Sequence, residues 1–323
     1  MNLAVPIAQA GLGGGVAGGA LAAAVARAGG LGTVGISPPK RFAADLREAV
    51  AEGGGGAVAA KLLVPFARRA HVEAIAAAGV RVAVLHGGFD RRLTAALHDA
   101  GAATVLHQVG TTAQAARALA DGADGLIAPG LEAGGHVEGR EPVRTLLPRV
   151  LDLAGGRPVL AAGGVASASD TAALLAAGAT AVVAGTRFVL THEANAHPGY
   201  QARLVAARET LRTQLFGFGW PAWHRVVPNA ATDRWCARDE AGPAAVRALN
   251  RATAPLGRAL PLAATGALTR RQRAWLPVLG PGPALPGDDA AILDAVPLYA
   301  GSGVARLDRV TGAAEAVAEL TPR

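Results

Sequence analysis

Three glycine-rich turns in this sequence have the residue types that bind a phosphate group. They span residues 132–136, 161–164 and 184–188, and each follows a short apolar run. Such runs are typical of buried parallel strands, so the turns are predicted to lie at one edge of a sheet, where ligands bind in α/β proteins. Glycines let backbone N–H groups approach a phosphate closely, and the Thr186 hydroxyl adds a donor. The spacing therefore predicts one site for a phosphorylated cofactor.

The first of these turns also carries a titratable side chain. His136 follows Gly134 and Gly135, and Glu138 comes two residues later. Histidine titrates near neutral pH, so an imidazole beside a bound ligand could act as a catalytic base. The alternative is a structural histidine that caps backbone groups of the turn. The flanking glycines favour the catalytic interpretation.

The segments around these turns repeat a pattern that predicts the fold. A helix-like Ala/Leu/Arg segment, a glycine and a short apolar run recur, as expected where a helix ends and the next strand begins. Eight units with near-continuous apolar strands favour an α/β fold, a (β/α)8 TIM barrel, over an open doubly wound sheet. In such barrels the loops after the last two strands commonly bind phosphate, which fits Gly164, Gly185 and Thr186. The predicted strands lie near residues 4–9, 31–36, 57–63, 80–85, 103–107, 124–128, 158–162 and 181–184.

The pattern changes after about residue 205, where large aromatic residues cluster. We expect residues 1–205 and 288–323 to form the barrel, with residues 206–287 as an added, mainly helical subdomain or lid on the substrate side. The alternative is that the aromatic side chains form only the small core of that subdomain. An amphipathic helix is predicted near residues 310–320. The clustered aromatic residues include Phe216, Phe218, Trp220, Trp223 and Trp235.

Composition excludes several classes of function. The 323 residues carry a formal charge of +7, but the arginines are scattered and only 4% of residues are aromatic, which is not typical of a nucleic-acid-binding surface. Small anionic substrates are compatible with this charge. Cys236 is the single cysteine, so an internal disulfide or a cysteine-based metal cage is excluded. Since the N-terminal segment lacks the pattern of a signal peptide or membrane helix, we expect a cytoplasmic protein, and a homodimer is one compatible assembly.

Several motifs together resemble one enzyme family. The chain is similar to the nitronate monooxygenases, formerly called 2-nitropropane dioxygenases, which are FMN-dependent TIM-barrel oxidoreductases. Any one of the motifs is common, but the Gly-Gly-His turn followed by two phosphate turns is specific in combination. The motifs that carry the resemblance are Gln9-Ala10, Ala28-Gly29-Gly30-Leu31-Gly32, His107-Gln108-Val109-Gly110-Thr111, Glu132-Ala133-Gly134-Gly135-His136, Ala161-Ala162-Gly163-Gly164, Gly185-Thr186-Arg187-Phe188 and Ala196-His197-Pro198.

The resemblance implies a cofactor, a reaction and a set of site residues. FMN would be bound through its phosphate, with its ring system over the barrel mouth, and His136 would be the catalytic base or would orient an anionic substrate. The implied reaction oxidises an alkyl nitronate with O2 and releases a carbonyl compound and nitrite, with no metal. The residues implied to bind the cofactor are Gln9, Ala10, Gly11, Lys61, Gln108, Gly134, Gly135, Gly163, Gly164, Gly185 and Thr186.

Three positions depart from the pattern of the family. Gly11 stands where a proline is usual, Lys61 where an asparagine is usual, and Ser302 where a glutamine is usual. Lys61 is unusual also because a lysine inside an apolar strand is seldom buried without a partner. It could hold a positive charge beside reduced flavin, or it could pair with a carboxylate such as that of Glu132.

Other functions share parts of this pattern. An FMN-dependent NAD(P)H enoyl-acyl carrier protein reductase would have the same Gly-Gly-His turn and a segment similar to residues 193–198. A flavin-binding protein that has lost turnover would account for the three departures, and a flavin-free barrel isomerase would use the same phosphate turns. His86 and His107 each end a predicted strand, where a hydrogen-bonded wall of the pocket is the expected role.

Overall fold

The chain folds around an eight-stranded parallel barrel. The computed structural model describes residues 3–260 and 262–323. All eight predicted barrel strands are confirmed, with each end within three residues of its predicted position. Four short strands that the sequence did not predict form a second sheet. The strands are β1 (Ile7–Gln9), β2 (Gly32–Val34), β3 (Val58–Leu63), β4 (Val82–His86), β5 (Thr104–Gln108), β6 (Gly125–Pro129), β7 (Gly135–His136), β8 (Val159–Ala162), β9 (Ala181–Ala184), β10 (Leu211–Thr213), β11 (His224–Val227) and β12 (Leu298–Tyr299).

The barrel is closed between its first two strands. The parallel strands follow the order β1-β9-β8-β6-β5-β4-β3-β2. The amide of Gln9 donates to the carbonyl of Leu31 at 2.9 Å, and the amide of Leu31 donates to the carbonyl of Ile7 at 2.9 Å. These bonds join β1 to the entrance of β2 and leave no open edge. The predicted (β/α)8 TIM barrel is therefore confirmed.

Helices surround the barrel and also extend the chain beyond it. The amphipathic helix predicted near residues 310–320 is confirmed as α14, which packs against α1 and α7 and so completes the outer layer. Among the helices of the described residues, none has both the length and the hydropathy to cross a membrane. The helices are α1 (Gly19–Arg27), α2 (Pro39–Glu52), α3 (Arg69–Ala78), α4 (Arg91–Asp99), α5 (Thr112–Ala120), α6 (Val143–Ala154), α7 (Ala168–Ala176), α8 (Thr186–Val189), α9 (Pro198–Ala206), α10 (Ala230–Cys236), α11 (Ala244–Ala252), α12 (Ala254–Ala259), α13 (Leu262–Thr269) and α14 (Ala313–Leu320).

Side-chain alternation along the strands decides which residues reach the barrel mouth. Successive side chains of a strand point to opposite faces. Ala59 packs in the barrel interior whereas Ala60 packs against the helices, so Lys61 faces the interior one layer above Ala59. Leu106 is likewise an interior residue, which places Gln108 in the same upper layer. Polar side chains near the carboxyl ends of β3 and β5 are thus directed into the mouth.

The added segment contains a small antiparallel sheet as well as helices. β10 pairs with β11, and β11 pairs with both β12 and β7. The sequence predicted a mainly helical subdomain because strands of two to four residues give no periodic signal. β7 belongs to the 132–136 turn of the barrel, so its pairing with β11 ties that turn to the added segment. A separate core lies in this region. It is formed by six residues of the segment and by Ala295 from the chain that follows it: Leu215, Phe216, Val226, Ala231, Val246, Leu279 and Ala295.

Candidate active site

A cavity of about 460 Å3 opens at the carboxyl ends of the barrel strands. This is within the range of small-molecule and cofactor sites. Twelve residues were predicted to form the site, and the structure brings eleven of them to the cavity wall. They are Ala10, Gly11, Lys61, Gln108, Gly134, Gly135, His136, Gly163, Gly164, Gly185 and Thr186.

Gln9 is the predicted site residue that does not line this cavity. Its side chain is buried and lies against a smaller void of about 20 Å3 in the barrel interior. The Gln9 Oε1 atom accepts the amide of Thr33 at 2.9 Å, and Nε2 donates to the carbonyl of Ala10. Alternation along β1 directs its neighbour Ala10, rather than Gln9, to the mouth. Gln9 therefore braces β1 against β2.

The two predicted phosphate turns meet at one end of the cavity. The amides of Gly164 and Thr186 donate to no acceptor among the described residues, so both are available to a ligand. The Thr186 Oγ1 atom accepts the amide of Gly301 at 2.9 Å, which leaves its own proton free for donation. Gly164 has a φ of 72°, a left-handed conformation that favours glycine. This end of the cavity offers three donors to an anion.

An ion pair fixes the first phosphate turn. Arg306 donates to the carbonyl of Gly164 at 2.6 Å and to the carboxylate of Asp170 at 2.7 Å. The Asp170 carboxylate also accepts the amide of Ala166 at 2.9 Å. Burial raises the pKa of Asp170, but the Arg306 guanidinium and these hydrogen bonds lower it by more than burial raises it. The net pKa lies below the usual value, so the carboxyl stays ionised. The carbonyl of Gly164 is thereby directed toward Arg306, while the Gly164 amide stays free.

His136 lies in a cluster of aromatic rings in the wall of the cavity. Its ring stacks on Trp220 at a centroid distance of 4.0 Å and contacts the edge of His224 at 4.4 Å. His86 and Tyr299 lie further off, at 6.3 and 5.7 Å. Trp220, noted from the sequence as a possible lid residue, therefore does line the cavity, as one face of the His136 pocket.

The surroundings of His136 keep its imidazole neutral. Burial lowers the pKa of His136 well below its usual value, and repulsion from the protonated forms of His224, His86 and Lys61 lowers it further. A neutral imidazole has a free lone pair, which is what a base requires. The Trp220 face would stabilise the cation that forms when the ring takes up a proton. The arrangement can thus accept a proton or orient an anionic group.

Lys61 is directed into the same cavity from β3. Its Nζ atom donates to Gln108 Oε1 at 3.0 Å, and burial lowers its pKa to about 8, with Glu138 opposing that shift. The suggested pairing with Glu132 is wrong, because the Glu132 carboxylate accepts the amide of Val143 at 3.0 Å at the start of α6. The carboxylate that faces Lys61 is Glu138. At neutral pH the ammonium group is still protonated.

Glu138 organises a polar network that the sequence did not reveal. Its Oε2 atom accepts Gln114 Nε2 at 2.8 Å, and its Oε1 atom lies 3.3 Å from His86 Nε2. Burial raises the pKa of Glu138, but His86 and Gln114 together lower it below its ordinary value. The available signal was its place two residues after His136. His107 does not line the cavity: its Nε2 atom bonds the carbonyl of Gly88 at 3.0 Å, as expected of a wall residue.

Two of the departures from the family pattern are neighbours in space. A Cβ atom on Gly11 would lie 2.6 Å from the Cβ atom of Lys61 and 2.9 Å from Thr33 Cγ2. It would also lie 2.8 Å from Lys61 Cδ, an atom that an asparagine does not have, so a larger residue at position 11 and a lysine at position 61 crowd each other. Positions 11 and 61 are therefore linked by direct contact.

The family model for nitronate monooxygenases matches residues 47–261 of the chain, which is about two thirds of its length. The chain belongs to the nitronate monooxygenase family. The members of this family are flavin-dependent oxidoreductases that oxidise nitronates. The family expected from the motifs is thereby confirmed.

Individual relatives agree with this assignment. The chain is 40% identical over 144 residues to nitronate monooxygenase npaC of Metarhizium robertsii, a match that covers 40% of each protein, so the chain spans well under half of that curated relative. It is similar over 98% of its length to nitroalkane oxidase of Streptomyces ansochromogenes, with 26% identity, 95% of that chain covered and a TM-score of 0.75. FabK of Thermotoga maritima has the same fold, with 24% identity and a TM-score of 0.77. The match covers 98% of this chain and 92% of the FabK chain.

Proposed function

We propose that this protein uses FMN and O2 to oxidise small alkyl nitronates, with a carbonyl compound and nitrite as products. The observation that carries the proposal is the position of His136. A neutral imidazole stacked on Trp220 lies in the same cavity as two phosphate-type turns with free amides. This arrangement has a place for a phosphate, a place for a flat ring and a base beside it.

The residues present fit FMN. Its phosphate would receive the amides of Gly164 and Thr186 and the Thr186 hydroxyl, and its ring would lie across the mouth between Ala10 and Gly135. When bound, FMN supplies the redox chemistry, taking electrons from the substrate and passing them to O2. The cavity wall of glycine, alanine and proline residues leaves flat surfaces on which a planar ring can pack.

The remaining residues bind and orient the substrate. The neutral His136 would take a proton from a nitroalkane, or hydrogen-bond the oxygens of a nitronate. Lys61 would place a positive charge at the mouth, where it favours an anionic substrate and the anionic form of the reduced cofactor. Its pKa of about 8 means that this charge is present at neutral pH.

Two arginines, which sequence reasoning missed, extend the positive charge outward. Arg41 and Arg270 line the outer cavity. Arg41 is partly neutralised, since its Nε lies 3.5 Å from the Asp45 carboxylate. Asp288 is the acidic residue of this rim, so the described charges of the wall remain predominantly positive. This supports a small anionic organic substrate.

We further propose that residues 206–287 form the substrate-side subdomain, and that residues 1–205 and 288–323 form the cofactor-binding barrel. Trp220 and α13 from the added segment line the cavity, as a covering element would. The separate core around Phe216 supports a unit that packs on its own.

Nitrite release tests the proposed reaction. The purified protein, supplied with FMN, is given propyl-2-nitronate in air, and O2 uptake, nitrite and acetone are measured together. We expect all three, with nitrite and acetone in equal amounts. An enzyme that shows none of these and instead oxidises NADPH in the presence of an enoyl thioester would overturn the proposal.

A further inference from the structure

His224 is placed against the base by the pairing of two strands. It lies on β11 directly opposite His136 on β7 in the antiparallel register. The two rings are 4.4 Å apart with an angle of 68° between their planes. His224 is 0% exposed and does not line the cavity, so no ligand can reach it.

The nitrogens at this contact are poorly paired. Nε2 of His136 and both ring nitrogens of His224 are buried and make no hydrogen bond of good geometry with a described residue, although the His224 ring approaches the backbone of Thr213. A buried polar atom without a good hydrogen bond destabilises the fold, so a leucine or phenylalanine at position 224 would be less costly. Buried polar groups of this kind call for an explanation beyond packing.

The other groups that face His136 bond elsewhere or lie further away. Lys61 Nζ donates to Gln108, and the Tyr299 hydroxyl donates to the carbonyl of Pro281 at 2.9 Å. The His86 ring is 6.3 Å from that of His136, and its Nε2 atom faces Glu138 at 3.3 Å. Trp220 has no acceptor to offer. On the far side of His224 lies Thr213, its strand partner on β10. His224 is thus the group left to interact with the buried nitrogen of His136.

The protonation of a neutral imidazole determines which of its nitrogens can act as a base. Nδ1 of His136 is the nitrogen with access to the cavity, since Nε2 is buried. For Nδ1 to accept a proton, the ring's own hydrogen must be on Nε2, and the partner of that hydrogen fixes the tautomer. Burial lowers the pKa of His224 to about 3, so at neutral pH it is uncharged and has a lone pair to accept with.

We propose that His224 is a positioning residue that accepts a hydrogen bond from Nε2–H of His136 and so keeps Nδ1 of His136 free to take the substrate proton. The structure shows the rings in contact but not bonded, so the bond requires them to rotate from their present angle of 68°. The proton moves from the carbon of a neutral nitroalkane to Nδ1, while His224 stays neutral and only accepts. The inference rests on the proposed function for its catalytic consequence, but not for the hydrogen bond itself.

Nitrogen NMR of the purified protein tests the hydrogen bond without any turnover. In 15N-histidine-labelled protein, with signals assigned through His136→Asn and His224→Phe, we expect His136 to carry its hydrogen on Nε2. In His224→Phe we expect a mixture of both tautomers, with restoration in His224→Gln, whose carbonyl can accept. The proposal would be overturned if His136 of the wild-type protein carried its hydrogen on Nδ1, or if the tautomer of His136 were unchanged in His224→Phe.

Kinetics separate positioning from a merely structural role. His224→Phe should stay folded, with the circular dichroism spectrum of the wild type, because a phenylalanine ring can fill the buried site. Its kcat on a neutral nitroalkane should fall by about 10- to 100-fold, with recovery in His224→Gln, while turnover of the preformed nitronate changes little. Equal losses on both substrates would contradict the positioning role. If the NMR result holds but no variant oxidises either substrate, the proposed function fails and the hydrogen bond stands.

Discussion

Replacement of Gly185 by valine is expected to release the cofactor without unfolding the protein. Gly185 has a φ of −111°, which any residue adopts, and it precedes α8. A Cβ atom there would lie 3.7 Å from Ala10 Cβ and 3.9 Å from Leu12 Cδ2, which is ordinary contact. The new side chain would therefore occupy the cavity beside the free amide of Thr186 without forcing neighbouring protein atoms to move.

The size of the effect follows from the donors that a phosphate would lose. If the valine displaces the phosphate from the amides of Gly164 and Thr186, two charge-assisted hydrogen bonds are lost, each worth about 1.5–3 kcal/mol. The sum of about 3–6 kcal/mol weakens the Kd for FMN by about 10²- to 10⁴-fold, since 1.4 kcal/mol is a factor of ten. Fluorescence titration of the apoprotein with FMN measures this change.

Gly312→Val provides a matched control. Gly312 also precedes a helix, α14, with a φ of −73°, and a Cβ atom there would find its nearest neighbour at 4.0 Å, outside the cavity. Both variants should keep the wild-type circular dichroism spectrum and similar melting temperatures. Wild-type FMN affinity in Gly185→Val would refute the placement of the phosphate.

Three further predictions concern the base, the lysine and the linked glycine. His136→Asn should retain FMN but lose about two to four orders of magnitude in turnover, measured as O2 uptake, and normal turnover would remove His136 from the mechanism. Burial lowers the pKa of Lys61 in the folded state to about 8 from 10.5. Between pH 8 and 10.5 the Lys61 amine is therefore protonated in the unfolded chain but largely neutral in the folded protein. The stability of the wild type relative to Lys61→Met should therefore rise as pH increases from 8 to 10.5, and parallel pH dependence in thermal melts of the two proteins would contradict the buried ammonium. Gly11→Ala should lose about 1–3 kcal/mol in urea unfolding because its Cβ atom meets Lys61 at 2.6 Å, whereas Gly13→Ala, with its nearest neighbour at 3.8 Å, should not; equal stabilities would rule out the close contact.

The barrel could be predicted from the sequence because its signals are local. Each strand is an apolar run, and a glycine such as Gly79, which ends α3 with a φ of 67°, separates helix from strand. The common edge of a parallel sheet then brings the turns at Gly164 and Gly185 together without further information. These features depend on residues close in the chain, and they are confirmed.

The second sheet and the side-chain partners could not be predicted in this way. β7 and β12 have two residues each and pair across about 90 and 70 positions with β11, so no periodicity marks them. The contact of His136 with His224 depends on that pairing. Whether Lys61 faces Glu132 or Glu138 depends on the path of the loop after β6, since both follow the same strand. Gln9, which the resemblance implied as a cofactor-binding residue, has its side chain bonded to the backbone of Thr33 and Ala10, and such contacts are not visible in a sequence motif.

An absorption spectrum of the purified protein, followed by anaerobic addition of nitronate, tests the central claim most directly. We expect a flavin spectrum, release of FMN on denaturation, and bleaching of the bound flavin by propyl-2-nitronate but not by NADPH. A colourless protein that takes up no added FMN would contradict the assignment of the cavity. A flavin that NADPH bleaches and nitronate does not would contradict the proposed reaction.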